Sequence, residues 1–159
     1  VLAEAVMREN KFVTWIPSYG AEVRGGTAHC MVIISDKGIG SPYIDKADTL
    51  IIMNQPSLER FKHRIKNKGL SIINSSLANS DAKRNAHIIK YPFPALAIKL
   101  GNIKVANMVA LGCYIANKKI ASLKNVFATI RAMAPEDKKG LIEINQEAVV
   151  LGVELNGKS

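Results

Sequence analysis

A chain of 159 residues that is 48% hydrophobic and 22% charged has the make-up of one folded domain, not of a disordered or fibrous protein. It can bury roughly 70% of its unfolded surface, so neither disulfides nor a structural metal is needed to hold it together. Its net charge of +9 admits an acidic partner or an anionic ligand, but no exposed aromatics or recognition motif point to nucleic acid, and no apolar run is long enough to cross a membrane.

Leu2, Ala3, Val6 and Met7 have helical spacing, and Asn10 closes that segment. Because the helix is already under way at Val1, further residues are expected before it. Strands are expected over residues 11–16 and 27–35. Between them runs Pro17-Ser18-Tyr19-Gly20-Ala21-Glu22-Val23-Arg24-Gly25-Gly26. The glycines let the backbone take φ > 0 and let a ligand or another chain come close. Glu22 and Arg24 set both charge signs beside that open backbone. Loops on rigid strands often carry function. The loop is therefore either half of a site, with Ser18, Tyr19, Gly20, Glu22, Arg24, Gly25 and Gly26 as candidates, or a twisted connector with an internal ion pair.

Asp36-Lys37-Gly38 reads as a turn, and residues 39–47 as irregular. Asp48-Thr49-Leu50-Ile51-Ile52-Met53 is expected to be a fully buried strand. It empties into Asn54-Gln55-Pro56-Ser57, where Pro56 suits the first turn of a helix. Leu58, Phe61 and Ile65 mark that helix, which is expected to end near Asn67-Lys68-Gly69. The unit nearly repeats: Leu70-Ser71-Ile72-Ile73 is a strand ending in Asn74-Ser75-Ser76, and Ala86-His87-Ile88-Ile89 is a third, closed by Tyr91-Pro92. In open α/β sheets, ligands bind outside the carboxyl ends of the strands. Asn54, Gln55, Ser57, Asn74 and Ser75 would occupy that place. For Asn74-Ser75-Ser76 taken alone, a plain turn or helix cap is the simpler reading.

A helix is expected over residues 95–100, with Gly101 as its stop. Residues 103–116 are apolar almost all round, as in a helix buried on most sides. Ser122 caps the next helix, whose stripe is Leu123, Val126, Phe127, Ile130 and Met133. Pro135-Glu136-Asp137 opens the last, with Leu141, Ile144, Ala148, Leu151 and Leu155 on one face. Strands that alternate with helices, followed by helices alone, predict a three-layer α/β/α sandwich with a mostly parallel sheet and a helical C-terminal part, residues 1–159 forming a single domain.

The chemistry is sparse. Cys30 and Cys113 are far apart and flanked by apolar residues, as expected of buried, reduced thiols in a cytoplasmic protein. Without a Cys-x-x-Cys spacing the chain alone ligates no iron–sulfur cluster. His29 and Cys30, adjacent in a strand, face opposite sides. No Gly-x-Ser-x-Gly elbow exists. No catalytic residue and no metal ligand is assigned. The basic groups Arg60, Lys62, Arg64, Lys66, Lys68 and Lys118, Lys119, Lys124 read as solvated helix faces. What remains is a set of mostly neutral hydrogen-bonding groups at strand ends, suited to holding a ligand or docking a partner.

Val13-Thr14-Trp15-Ile16-Pro17-Ser18-Tyr19-Gly20, Glu22-Val23-Arg24-Gly25-Gly26-Thr27, Met53-Asn54-Gln55-Pro56-Ser57, Asn74-Ser75-Ser76-Leu77 and Lys104-Val105-Ala106-Asn107-Met108 resemble one family across nearly the whole chain. It is the gamma subunit, or gamma domain, of 2-oxoacid:ferredoxin oxidoreductases of the pyruvate, 2-oxoisovalerate and 2-oxoglutarate type. The resemblance implies a share in oxidative decarboxylation of a 2-oxoacid to an acyl-CoA, with electrons passed to ferredoxin. It implies other subunits as partners, with thiamine diphosphate and iron–sulfur clusters held by them and coenzyme A near the junction. No cofactor is expected on this chain alone, which would be inactive alone. It also implies a first strand and a Gly-x-Gly-Gly-Gln-Gly loop ahead of Val1. The rival readings are a stand-alone coenzyme A- or nucleotide-binding module and a purely structural docking subunit.

Overall fold

The computed structural model describes residues 1–18, 28–79, 86–136 and 139–158. Helix α1 (Leu2–Met7) leads into β1 (Phe12–Ser18), which pairs antiparallel with β2 (His29–Ser35). Both strands are rich in β-branched residues, whose stiff side chains suit a pleated surface. The register sets Trp15 opposite Val32 and Pro17 opposite Cys30. Three further strands, β3 (Ala47–Ile52), β4 (Ile65–Asn74) and β5 (His87–Tyr91), form a parallel sheet in that order. The expected parallel sheet is thus present, while the first two strands form a separate antiparallel pair.

Helix α2 (Gln55–Phe61) supplies the crossover that a parallel β3–β4 pair requires. It stops at Phe61, and after a short 3-10 turn (Lys62–Arg64) Ile65 already belongs to β4. The spacing of Leu58, Phe61 and Ile65 had predicted a helix reaching Gly69. Long-range contacts override it. The Arg64 guanidinium donates to the carbonyls of Ile44 at 2.7 Å and Asp45 at 2.9 Å, and Lys66 pairs with Asp48 at 3.0 Å. Both draw the chain out alongside β3. Pairing advances from Ile65 to Leu70 on β4 while β3 advances only from Ala47 to Thr49. Lys68, at φ 60°, sits in that excess length.

The middle strand β4 is buried from Gly69 to Asn74, as a strand covered on both faces must be. Leu70 and Ile72 point into a core with Phe93, Ala97, Val105, Val109 and Ala148. Ile73, one residue out of phase, points into a second core with Ile52, Leu58 and Phe61 of the α2 side. These two faces are the expected outer layers of the sandwich. The apolar run at 48–53 predicted a fully buried strand, but β3 is half-buried and Ile51 is 39% exposed. It lies at the edge of the three-stranded sheet, and the burial falls on its neighbour.

The helical part comprises α3 (Phe93–Lys99), a 3-10 turn (Ile103–Val105), α4 (Ala106–Lys118), α5 (Leu123–Met133) and α6 (Leu141–Glu154). Gly101 takes φ 90° just past α3, the positive φ that a helix stop exploits. Ser122 caps α5 as expected, its Oγ accepting from the Asn125 N–H at 3.3 Å. Its own N–H donates to Glu9 at 2.7 Å, tying the end of α1 to α5 and holding Glu9 below the usual carboxylate range. The last helix starts at Leu141, not at Pro135. The buried helix expected over 103–116 is α4 from Ala106 onward, with Ala106, Val109, Ala110, Gly112, Cys113 and Ile115 buried, while Ile103 lies in the 3-10 turn ahead of it and is exposed. Helix α4 meets α6 backbone to backbone: a Cβ on Gly112 would overlap the Val149 carbonyl, and one on Gly152 would overlap the Val109 carbonyl. A third core joins α1, α4, α5 and α6 through Ala5, Ile115, Val126, Ile130 and Val149.

The cysteines differ from expectation. Cys113 is fully buried, but Cys30 is exposed on β2. Burial pushes the Cys113 thiol from the usual 9.0 up to about 11. An aromatic disulfide reagent at pH 8 is expected to titrate Cys30 rapidly and to reach Cys113 only after denaturation. The raised folded-state value also sets a sign. The contribution of Cys113 is full below its unfolded pKa and is lost as pH climbs from 9.0 towards about 11, so the melting temperature should fall across that window. A Cys113→Ala variant with an unchanged alkaline slope would remove Cys113 as the cause.

Candidate functional site

The carboxyl ends of β3, β4 and β5 come together, and the polar residues singled out there act first on each other. Asn54 caps α2 in an extended conformation that starts no helix by itself, its Oδ1 accepting from the Ser57 N–H at 3.0 Å. Gln55 donates from Nε2 to Glu59 at 3.2 Å, and its Oε1 accepts from the Asn79 N–H at 2.8 Å. Asn74 has no exposed surface. Its Nδ2 donates to the Met53 carbonyl at 2.9 Å and its Oδ1 accepts from the Ser76 N–H at 3.2 Å. The Ser75 N–H donates to the Tyr91 carbonyl at 3.0 Å. One amide side chain thus stitches the end of β3 to the turn after β4, and that turn is stitched in turn to β5. Ser75 and Ser76 stand exposed on this frame, and Ser57 is half-buried.

Ser18, the last residue of β1, is elsewhere. Its cross-strand partner His29 has its ring 4.6 Å from that of Phe61. Phe61 ends α2, a helix of seven residues and about 10 Å from the Asn54 cap. The hairpin therefore abuts one end of α2 and the strand-edge cluster the other. Tyr19, Gly20, Glu22, Arg24, Gly25 and Gly26 lie outside the described residues.

Among the described residues, the cluster offers mostly neutral donors and acceptors with no nucleophile–base pair. Among the described residues no group of three or more His, Cys, Asp or Glu could hold a metal ion, and no helix is long and apolar enough to cross a membrane. His63 and His87 are exposed. Sequence reasoning did not single out Asn79, nor the carbonyls of Met53 and Tyr91 that anchor the frame. Backbone acceptors carry no residue signature, so only the strand-end rule pointed to this region.

Asn74→Ala should destabilise the protein by about 1–3 kcal/mol, because Asn74 is fully buried and its partly buried bonds to the Met53 carbonyl and the Ser76 N–H would be lost. Denaturant unfolding measures this directly. A change below about 0.5 kcal/mol would show that water takes over both bonds.

The model of the pyruvate ferredoxin/flavodoxin oxidoreductase family matches residues 1–155. The chain is 31% identical over 153 residues to the ketoisovalerate oxidoreductase subunit VorA of Methanothermobacter marburgensis, covering 96% of this chain and 32% of that relative. It thus spans about a third of VorA. It is 31% identical over 154 residues to the 2-oxoglutarate synthase subunit KorC of Methanocaldococcus jannaschii, covering 95% of this chain and 81% of KorC. The gamma subunit of the keto/oxoacid ferredoxin oxidoreductase from Geobacter sulfurreducens PCA has the same fold. It aligns with a TM-score of 0.84 and 26% identity over 99% of this chain and 88% of that one. The fold is also found in the 2-oxoglutarate:ferredoxin oxidoreductase from Magnetococcus marinus, with a TM-score of 0.89 and 20% identity over 99% of this chain and 28% of that chain. With the family model matched almost end to end and KorC aligned over most of its length, the chain belongs to the pyruvate ferredoxin/flavodoxin oxidoreductase family.

Proposed function

We propose that this chain is the gamma part of a multi-subunit 2-oxoacid:ferredoxin oxidoreductase. The enzyme would convert a 2-oxoacid and coenzyme A to acyl-CoA and carbon dioxide, passing two electrons to ferredoxin in the cytoplasm. The observation that carries the reading is the match to KorC over 81% of that subunit's length, at 31% identity. The donor set limits what this chain contributes. A cubane cluster needs four thiolates, and the two cysteines here sit exposed on β2 and buried in α4. They do not fit a cluster, and in this reading the clusters, like thiamine diphosphate, are held by other subunits or domains of the enzyme. The residues present suit positioning. Asn54, Gln55 and Asn74 hold a rigid edge that presents Ser57, Ser75 and Ser76. We propose that this edge meets the subunits that carry out the chemistry, and that Ser18, at the other end of α2, with Tyr19, Gly20, Glu22, Arg24, Gly25 and Gly26 after it in sequence, offers those subunits a second contact.

Co-purification tests the reading. Affinity capture of the tagged chain from its source should retain thiamine- and cluster-bearing subunits in fixed ratio, and the captured complex should oxidise a 2-oxoacid while the isolated chain does not. Turnover by the isolated chain with thiamine diphosphate and a dye acceptor would overturn it. Within the complex, Arg24→Lys keeps the charge and removes the planar fork that suits a carboxylate or phosphate. If Arg24 faces coenzyme A or the 2-oxoacid, KM for that substrate should rise about tenfold with assembly intact, the size of one lost charge-assisted bond pair. A holding role predicts weaker assembly at unchanged KM. Wild-type behaviour in both would remove Arg24 from the site.

A further inference from the structure

A groove of about 460 Å³ runs along the outer face of α6, between Phe127 of α5 and Leu100 just past α3. Its floor is apolar. Val150, 36% exposed, continues that apolar surface to solvent, and half-buried Leu151 lies beside it. Among the described residues its charges are all of one sign: Glu143, Glu147 and Glu154 line it, and no lysine or arginine does. With Val150 they fall at i, i+4, i+7 and i+11, which is one stripe of a helix. None of the three carboxylates is ion-paired among the described residues. In a chain with a net charge of +9, such a groove runs against the general field. Gln146, also lining it, has a buried Nε2 with no hydrogen-bond acceptor among the described residues.

We infer that this groove docks an amphipathic helix of another subunit, one with an apolar ridge flanked by lysine or arginine. The stripe spacing suits a helix laid along α6, the floor suits an apolar ridge, and the carboxylates suit a cationic border. A carbonyl or carboxamide of the incoming helix would satisfy Gln146. A second copy of this chain fits less well: its densest basic segment is already engaged, Arg64 on two carbonyls and Lys66 on Asp48. The inference rests on the multi-subunit reading above but is separable from it.

Zero-length carbodiimide coupling of the captured complex, read by mass spectrometry, tests it. Glu143, Glu147 or Glu154 should be found joined to lysines of another subunit. The double variant Glu143→Lys/Glu147→Lys should lower retention of that subunit about tenfold at an unchanged melting temperature, with Glu136→Lys, outside the groove, as the control. Should the double reversal fail to fold, Glu143→Gln/Glu147→Gln should still reduce retention and flatten its dependence on salt. Cross-links only within this chain or to a second copy would overturn the inference, as would variants that assemble like wild type. A wild-type capture with no other subunit would sink the multi-subunit reading, and this inference with it.

Discussion

Gly152→Ala is expected to cost about 3 kcal/mol or more and to leave little folded protein at physiological temperature. By intrinsic propensity the change should help, since alanine is the better helix former by about 1 kcal/mol. The helix contact reverses the sign. An alanine Cβ would overlap the Val109 carbonyl and come within 2.8 Å of the Cys113 nitrogen. Both are backbone atoms inside α4, so no side chain can rotate away; the helices must separate, which opens the core around Val109, Cys113 and Ala148. Gly112→Ala meets the Val149 carbonyl in the same manner and should behave alike. Gly140→Ala is the control, since nothing lies within 4 Å of its Cβ, and it should be neutral or slightly stabilising. Denaturant midpoints for the three variants separate these outcomes, and a Gly152→Ala protein that unfolds like wild type would mean that α4 and α6 are farther apart than described.

Val109→Asp should have an effect as large by a different route. Val109 is fully buried, on the central helix that faces the sheet. Aspartate there removes apolar contacts and leaves a carboxylate that must either stay charged in a dry place or take up a proton. Either way the expected loss is about 4 kcal/mol or more. Val109→Ala, which only removes methyl groups, should lose about 2 kcal/mol. The graded pair distinguishes charge from cavity. Soluble Val109→Asp protein with a normal melting curve would show that this face of α4 is open to water.

Local patterns were the legible part of the chain. The Ser122 cap acts on an N–H three residues onward, so residue type and spacing were enough to place it; Asn54, read from the sequence only as a ligand-site candidate, caps α2 in the same way. The stop at Gly101 was likewise written in neighbouring residues, as was a buried helix, expected over 103–116 and found over 106–118. Where sequence reasoning went astray, a distant contact had taken over. The α2 helix ended early because Arg64 and Lys66 hold partners 20 and 18 residues away. Cys30 looked buried because its neighbours are apolar, but a paired strand has two faces, and Cys30 lies exposed opposite Pro17.

The sequence by itself determined the three-layer α/β class, the family, and the strand ends at which polar residues gather, because periodicity, caps and motifs are properties of adjacent residues. Tertiary structure alone decided the rest. Whether β3 or β4 would be the buried strand depended on which lies in the middle of the sheet. The role of Asn74 depended on a carbonyl 21 residues earlier in the chain. The need for glycine at 112 and 152 arose only where two helices, far apart in sequence, touch backbone to backbone. Such requirements belong to pairs of distant positions, and no single stretch of sequence carries both members of a pair.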